Sequence, residues 1–173
     1  IVSPAGREEA PKANGWLHNF YNKATAQDIR IDVIAVHWYD WGSNPVANPN
    51  HTASTIFNRF KSYLTDVHNR FGKPIWITEF NANPNRSNAI NLAFMQLALP
   101  YLETLDYVER YAWFEPVSDV ADYYDGSNNL TNVGTFYKNY VSTPSIPEIT
   151  VFANNNIDDN YSTNLTLNHN IIT

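Results

Sequence analysis

A repeated alternation of apolar strands and amphipathic helices is the feature that most limits how this chain can fold. A strand is predicted over residues 29–38, which contain the apolar, mostly β-branched run Val33-Ile34-Ala35-Val36 typical of a strand buried on both faces. A helix is predicted over residues 52–71, because its large apolar side chains fall on one stripe. Gly72 ends this helix, and a second strand is predicted over residues 74–78. The alternation indicates a parallel sheet, either doubly wound or closed into a barrel.

The same alternation continues on both sides of this segment. A helix is predicted from Asn88 to about Leu105, with Ser87 as its N-cap and a kink or break near Pro100, and the last elements are a strand over residues 108–114 and a helix over residues 134–141. Residues 1–4 are interpreted as the end of another strand, and residues 15–23 as a short helix. These elements make about four βα units, whereas a complete (β/α)8 barrel needs roughly 250 residues. We therefore expect about half of such a fold, taken from the interior of a longer protein.

The composition of the chain changes after residue 143. Pro144-Ser145-Ile146-Pro147 is typical of a linker, and the following residues are rich in Asn with short β-type runs. We predict one α/β domain over residues 1–143. Residues 144–173 are predicted to be a linker with either the start of a truncated β-rich domain or a disordered tail.

Composition disfavours several classes of partner. Eleven Lys and Arg against 17 Asp and Glu give a formal charge of −6, which argues against nucleic acid and anionic membranes. The absence of Cys excludes disulfides and thiolate metal sites, and the five His lack the spacing of known metal motifs, so neither a metal nor another cofactor is expected. The 14% aromatic content, with five Trp and eleven Tyr, suits a carbohydrate ligand, although aromatic cores are also common.

Candidate functional residues lie where the predicted strands end, because barrel enzymes carry their chemistry on that face. Glu79 is the strongest candidate, since it directly follows the apolar run Ile75-Trp76-Ile77-Thr78 and a buried carboxylate is costly without a use. The alternative is a structural ion pair between Glu79 and Arg110 on the next strand. Asp40 and Glu115 are the other carboxylates at strand ends and are weaker candidates for a second acid.

His37 and several aromatic residues stand at the same strand ends. His37 can bind a sugar hydroxyl or orient Glu79, or it can be a core histidine without any ligand. Trp41 and Trp113 are predicted stacking platforms for a sugar ring, and Trp38 is considered with them although core packing competes strongly for it. No nucleophile elbow, phosphate loop or dinucleotide fingerprint is present in the sequence.

Several longer segments resemble a known family. SPAG, GWLHNFYNKA and IDVIAVHWYDW are followed in order by FGKPIWITEF and FMQLALPYLETLDYVERYAWFEP, within about residues 1–142. Together they closely resemble the glycosyl hydrolase catalytic-core family, known as glycoside hydrolase family 128. The resemblance implies a retaining (β/α)8 glycosidase that acts on β-glucan, chiefly β-1,3-glucan, and it implies that this chain supplies the fifth to eighth strands of the barrel.

The resemblance also implies roles for individual residues. The nucleophile falls on Glu79, the substrate-contacting His and Tyr on His37 and Tyr39, and the Trp of the last strand on Trp113. Asn81 is expected to tune Glu79 or to bind a neighbouring hydroxyl. The family's acid/base Glu belongs to an Asn-Glu-Pro type motif on the fourth strand, which would precede residue 1, so the isolated chain is expected to be inactive.

Three further expectations follow from the substrate class. The protein is expected to be secreted or at the cell surface, to bind a polysaccharide or oligosaccharide, and to be monomeric at full length. Two alternatives stay open: a glycan-binding barrel domain without catalysis, and a retaining glycosidase of a related barrel family with another substrate.

Overall fold

The architecture was analysed in a computed structural model, which describes residues 1–115 and 120–143. Segment 144–173 lies outside the described residues, so the predicted linker and the nature of the tail stay predictions. The described elements are, in order, α1 (Trp16–Ala26), β1 (Ile34–Tyr39), α2 (Ala53–Phe71), β2 (Ile75–Asn81), α3 (Asn88–Leu102), β3 (Val108–Trp113) and α4 (Asn132–Asn139). None of these helices combines the length and apolar character needed to cross a membrane.

The strands form a parallel sheet in the order β1-β2-β3. Residues 1–6 extend this sheet beyond β1, because Val2 and Gly6 form parallel bridges with Val33 and Val36. Helices connect consecutive strands, as expected for parallel strands that need crossover connections. The predicted α/β fold with a parallel sheet is therefore confirmed.

The main core lies between the sheet and helices α2 and α3. Alternate residues of β1 and β2 point toward these helices and meet the buried stripe that the sequence predicts for α2. Its centre is an aromatic cluster in which the rings of Phe60 and Phe80 stack at 5.5 Å and Phe94 and Trp38 pack around them. Trp38 is 4% exposed, so core packing accounts for this residue.

The ends of several elements differ from the predicted bounds. Strand β1 begins five residues later than predicted, and β2 continues three residues further, to Asn81. Helix α3 ends at Leu102 rather than near Leu105, and Pro100 lies inside its last turn. The predicted break near Pro100 is wrong, because the helix is continuous through this residue; the proline removes a single backbone donor near the helix end and leaves the preceding turns intact.

Helix α3 has the N-cap predicted for it. The Ser87 hydroxyl accepts a hydrogen bond from the backbone N–H of Ile90 at 3.3 Å, which satisfies one of the free donors of the first turn. The Ser87→Ala substitution is expected to lower the free energy of unfolding by about 1 kcal/mol, measured by chemical denaturation. Ser54→Ala, at an exposed position of the first turn of α2, is the control, and an equal loss there would contradict the capping role.

Candidate active site at the carboxyl ends of the strands

A β-bulge in β2 determines where Glu79 points. Val36 pairs with Ile77 but His37 pairs with Glu79, and on the other side Ile77 pairs with Tyr111 while Phe80 pairs with Trp113. Strand β2 therefore carries one residue more than either neighbour at Thr78–Glu79. Strict alternation would place Glu79 on the face of Ile75 and Ile77, against the helices. The bulge instead brings its carboxylate to the open face, as bulges beside functional sites often do.

Two side chains from β1 contact the Glu79 carboxylate. The Tyr39 hydroxyl donates a hydrogen bond to Oε2 at 2.5 Å, and His37 Nδ1 lies 3.3 Å from the same oxygen. Within the part of the chain that the structure describes, Oε1 has no hydrogen-bond partner. The Glu79 side chain is 33% exposed. The arrangement holds one carboxylate oxygen in place and leaves the other free to react.

Arg110 and the two other carboxylates at strand ends do not contact the Glu79 carboxylate. The Arg110 guanidinium lies over the Trp76 ring, 5.1 Å from its centroid, so the structural pair with Glu79 considered from the sequence is not formed. Asp40 is 1% exposed and is bound by Arg59 and Arg86. One Glu115 oxygen accepts a hydrogen bond from the backbone N–H of Tyr123 at 3.1 Å. Glu79 is thus the strand-end carboxylate with a reactive environment.

Tyr39 is kept as a hydrogen-bond donor by its surroundings. Burial raises the pKa of its phenol well above the ordinary value of 10, and the hydrogen bond to the Glu79 carboxylate raises it further. The pKa of Tyr39 is higher in the folded protein than in the unfolded chain. Its contribution to the stability of the fold is therefore fully present below about pH 10 and is lost only at still higher pH. Glu8 holds the backbone of Tyr39, since Oε1 of Glu8 accepts a hydrogen bond from the Tyr39 backbone N–H at 3.2 Å. The sequence analysis did not single out Glu8.

The predicted aromatic platforms differ in exposure. Trp41 is 47% exposed and so offers ring surface beside the site. Trp113 is 7% exposed, because it lies on the core face of β3 against Phe80 and its indole N–H donates to the Ala121 carbonyl. The described residues therefore leave little of its ring for a sugar.

Phe114 is the aromatic residue of this strand end that the sequence analysis passed over. It follows Trp113 and is 38% exposed, and its ring packs edge-to-face on Tyr39 with centroids 5.7 Å apart. Strand alternation places Phe114 on the face opposite Trp113, but it does not show which of the two residues faces the core. Phe114 therefore shapes the wall next to Glu79.

Asn81 is fully buried and organises the loop after β2. Its side-chain amide donates to the Phe114 carbonyl at 3.1 Å, and its oxygen accepts from the Asn83 backbone N–H at 2.7 Å. These bonds join the ends of β2 and β3. Both ends of the Asn81 side chain are thus hydrogen-bonded to backbone groups. Its predicted contact with Glu79 or with a substrate hydroxyl stays a prediction.

A cavity in the described part of the chain lies apart from Glu79. Among the described residues, no group of three or more His, Cys, Asp or Glu side chains is placed to hold a metal ion. A cavity of about 690 Å³ opens along the outer edge of β3, with Trp76, Thr78 and Arg110 in its lining and without Glu79. The carboxylate lies instead on an open surface at the strand ends.

Comparison with known proteins supplies the family. Residues 1–137 match the family described as Glycosyl hydrolase catalytic core. The chain belongs to this family. Its resemblance to glycoside hydrolase family 128 is likewise confirmed by solved structures, as the following relatives show.

Members of glycoside hydrolase family 128 share this fold. A mutant of a subgroup I endo-β-1,3-glucanase from Amycolatopsis mediterranei is 28% identical with a TM-score of 0.67, over 80% of this chain and 56% of that chain. The same enzyme has also been solved in complex with laminarihexaose, and that complex is 29% identical to this chain with a TM-score of 0.66. A curdlan-specific exo-β-1,3-glucanase from Blastomyces gilchristii is 29% identical with a TM-score of 0.59, over 80% of this chain and 53% of that chain.

A curated relative is similar to this chain in sequence. Alkali-sensitive linkage protein 1 of Schizosaccharomyces pombe is 32% identical in an alignment of 135 residues that covers 70% of this chain and 22% of that protein. The glycosyl hydrolase catalytic-core chain thus spans about half the length of its solved relatives and under a quarter of the length of Alkali-sensitive linkage protein 1.

Proposed function

We propose that this chain forms the nucleophile-bearing half of a (β/α)8 barrel that hydrolyses β-1,3-glucan with retention of anomeric configuration. The observation that carries the proposal is the bulge that turns Glu79 to the open face, where Tyr39 and His37 hold one oxygen and leave the other free. The solved relatives are named as β-1,3-glucanases, and one binds laminarihexaose.

The proposed reaction has two displacements. Oε1 of Glu79 attacks the anomeric carbon of the bound glucose and forms a glycosyl ester while the glycosidic oxygen leaves. A second carboxyl group, about 5–5.5 Å away in a retaining enzyme, protonates that oxygen and then removes a proton from the attacking water. We assign this acid/base to the fourth strand, whose end would lie next to residues 1–6 in a closed barrel. This chain alone is then expected to be inactive.

Tyr39 and His37 would act on the negative charge of Glu79. Hydrogen bonds fixed in advance hold the Glu79 carboxylate in the orientation for attack, which lowers the cost of organising the nucleophile. Exposed rings of Trp41 and Phe114 offer apolar faces for glucose, and the hydroxyls find polar groups at the strand ends. No step in this scheme needs a cofactor.

The test of the proposal uses the complete protein with laminarin, cellulose and xylan as separate substrates. Hydrolysis of laminarin in preference to the other two is expected, and NMR should show the β anomer as the first product. Inverted product would exclude a covalent role for Glu79. Binding of laminari-oligosaccharides without hydrolysis would favour the alternative of a glycan-binding barrel, and preference for another polymer would favour a related glycosidase family.

Removing the Tyr39 hydroxyl is expected to lower kcat on laminarin about 10-fold. The lost bond fixes one oxygen of Glu79 and so orients the other for attack, and a tenfold effect corresponds to about 1.4 kcal/mol in the barrier. The measurement compares Tyr39→Phe with Tyr21→Phe, whose ring packs on Phe71 away from Glu79. An unchanged kcat in Tyr39→Phe would show that this hydrogen bond does not assist the reaction.

We also propose that the complete protein is monomeric and acts outside the cell, because β-glucans are extracellular polymers. Light scattering after size exclusion should give the mass of one chain. Antibody labelling of intact cells, together with assay of the culture medium, should find the protein outside. Exclusive recovery from the cytosol would contradict the proposed location.

A further inference from the structure

A buried cluster of charged side chains joins the loop after β1 to the loop after β2. Both oxygens of Asp40 accept hydrogen bonds from Arg59 at 2.7 Å, and Arg86 donates to Oδ2 of Asp40 at 2.5 Å. The side chain of Arg86 is 0% exposed and that of Asp40 is 1% exposed. Two guanidinium groups on one carboxylate, away from water, need an exact arrangement to be tolerated.

The same cluster fixes the backbone on both sides of Trp41. Before Trp41, Asp40 is held by the two arginines. After it, Gly42 donates its N–H to Asp40 at 3.2 Å and its carbonyl accepts from Arg86 at 2.6 Å. A side chain at position 42 would displace Arg59 from this arrangement, since a Cβ there would lie 2.5 Å from Arg59 Nε. The loop is thus clamped at the two residues that flank Trp41.

Trp41 itself is left open by this arrangement. Its side chain is 47% exposed, and the hydrogen bonds and ring contacts of the described residues do not include its indole. It lies two residues beyond Tyr39, which corresponds to about 7 Å of extended chain from the residue that contacts Glu79. A ring that is exposed, carried by a backbone held on both sides and separated along the chain from the nucleophile suits a sugar unit other than the one that reacts.

We propose that Arg86, Asp40 and Arg59 are positioning residues that hold Trp41 as the platform for a glucose unit outside the reacting position. This inference rests on the proposed β-1,3-glucan hydrolysis and deepens it. The cluster would then set the affinity for long glucan chains and leave the chemical step at Glu79 unchanged. If the Trp41 ring is ordered before the sugar binds, less conformational entropy is lost on binding.

The test compares Arg86→Lys with the parent, both in the complete protein. Lysine keeps the charge but cannot bridge Asp40, Gly42 and Asn48 with a planar fork. We expect the KM for laminarihexaose to rise about 10-fold with kcat within about twofold, and an aryl β-glucoside too short to reach Trp41 to be unaffected. Arg70→Lys, at an exposed arginine of α2, is the matched control.

A second pair of variants separates positioning from general damage. In a Trp41→Ala background, Arg86→Lys should change the KM for laminarihexaose less than twofold, because the ring through which it acts is gone. An equal rise in KM with and without Trp41, or a fall in kcat on both substrates, would overturn the proposal. Arg59→Lys serves as the second variant if Arg86→Lys does not fold.

A readout without substrate distinguishes this inference from the proposed function. The fluorescence anisotropy decay of Trp41, taken as the difference between each protein and its Trp41→Phe counterpart, should show faster local motion in Arg86→Lys. An unchanged decay would overturn the positioning role. Failure of the parent protein to bind any laminari-oligosaccharide would instead overturn the proposed function, and the anisotropy would still decide whether the cluster holds Trp41.

Discussion

Replacing Glu79 by glutamine is expected to lower kcat on laminarin by about 10³-fold or more in the complete protein. Glutamine keeps the size of the side chain and can still accept the hydrogen bond from Tyr39, but its amide is a poor nucleophile toward the anomeric carbon. A 10³-fold loss corresponds to about 4 kcal/mol in the barrier. Steady-state kinetics should show this loss in kcat, with binding of the oligosaccharide largely retained.

The control is the same substitution on the adjacent strand. The Glu109 carboxylate on β3 accepts a hydrogen bond from the Trp76 indole at 2.8 Å, and a glutamine oxygen can accept it equally well. Glu109→Gln should therefore leave kcat within about twofold of the parent. Near-normal turnover in Glu79→Gln would remove Glu79 from the mechanism.

The largest expected loss of stability comes from Asp40. Asp40→Asn keeps the shape of the side chain but leaves two guanidinium groups, one of them fully buried, without a negative partner. Loss of one partner of a buried ion pair typically costs about 3–5 kcal/mol. The free energy of unfolding, measured by urea denaturation, should fall by that amount.

Asp66 provides the matched comparison for this prediction. It is exposed on α2, the helix that also carries Arg59, and the same change to Asn there should leave the denaturation midpoint at the parent value. A small effect of Asp40→Asn, equal to that of Asp66→Asn, would mean that water reaches the arginines and that the loop does not depend on the cluster.

The sequence predicted the order and type of the main elements because their patterns are local. The apolar run at Val33–Val36 and the stripe along α2 each contain enough information to identify a buried strand and an amphipathic helix. The ends of elements were predicted less well. Helix α3 ends at Leu102, three residues before the predicted end, and continues through Pro100, where the sequence predicts a kink or break.

The position of Glu79 at a strand end was predicted, but its environment was not. A bulge depends on the registers of both neighbouring strands, and these become known only when the strands are paired. Without it, alternation would place Glu79 among the helices and favour a structural role. The hydrogen bond from Tyr39, 40 residues earlier in the chain, follows from the same pairing.

The charged cluster could not be predicted for a similar reason. Asp40 and Arg86 are 46 residues apart and lie in loops, where neither carries a periodic signal. The burial of the aromatic residues at the end of β3 also depends on how the strands pair. Trp113 and Phe114 are adjacent, and only the pairing of Trp113 with Phe80 shows which ring joins the core and which is exposed.

The central claim is that Glu79 forms a covalent bond with the sugar. The direct measurement is mass spectrometry of the complete protein after reaction with a 2-fluoro-laminaribiosyl fluoride, which slows the second displacement and lets the ester accumulate. We expect one added 2-fluoro-laminaribiosyl group on the peptide that contains Glu79, with loss of fluoride from the reagent, and no added group in Glu79→Gln. A label on another residue, or turnover without any label on Glu79, would contradict it.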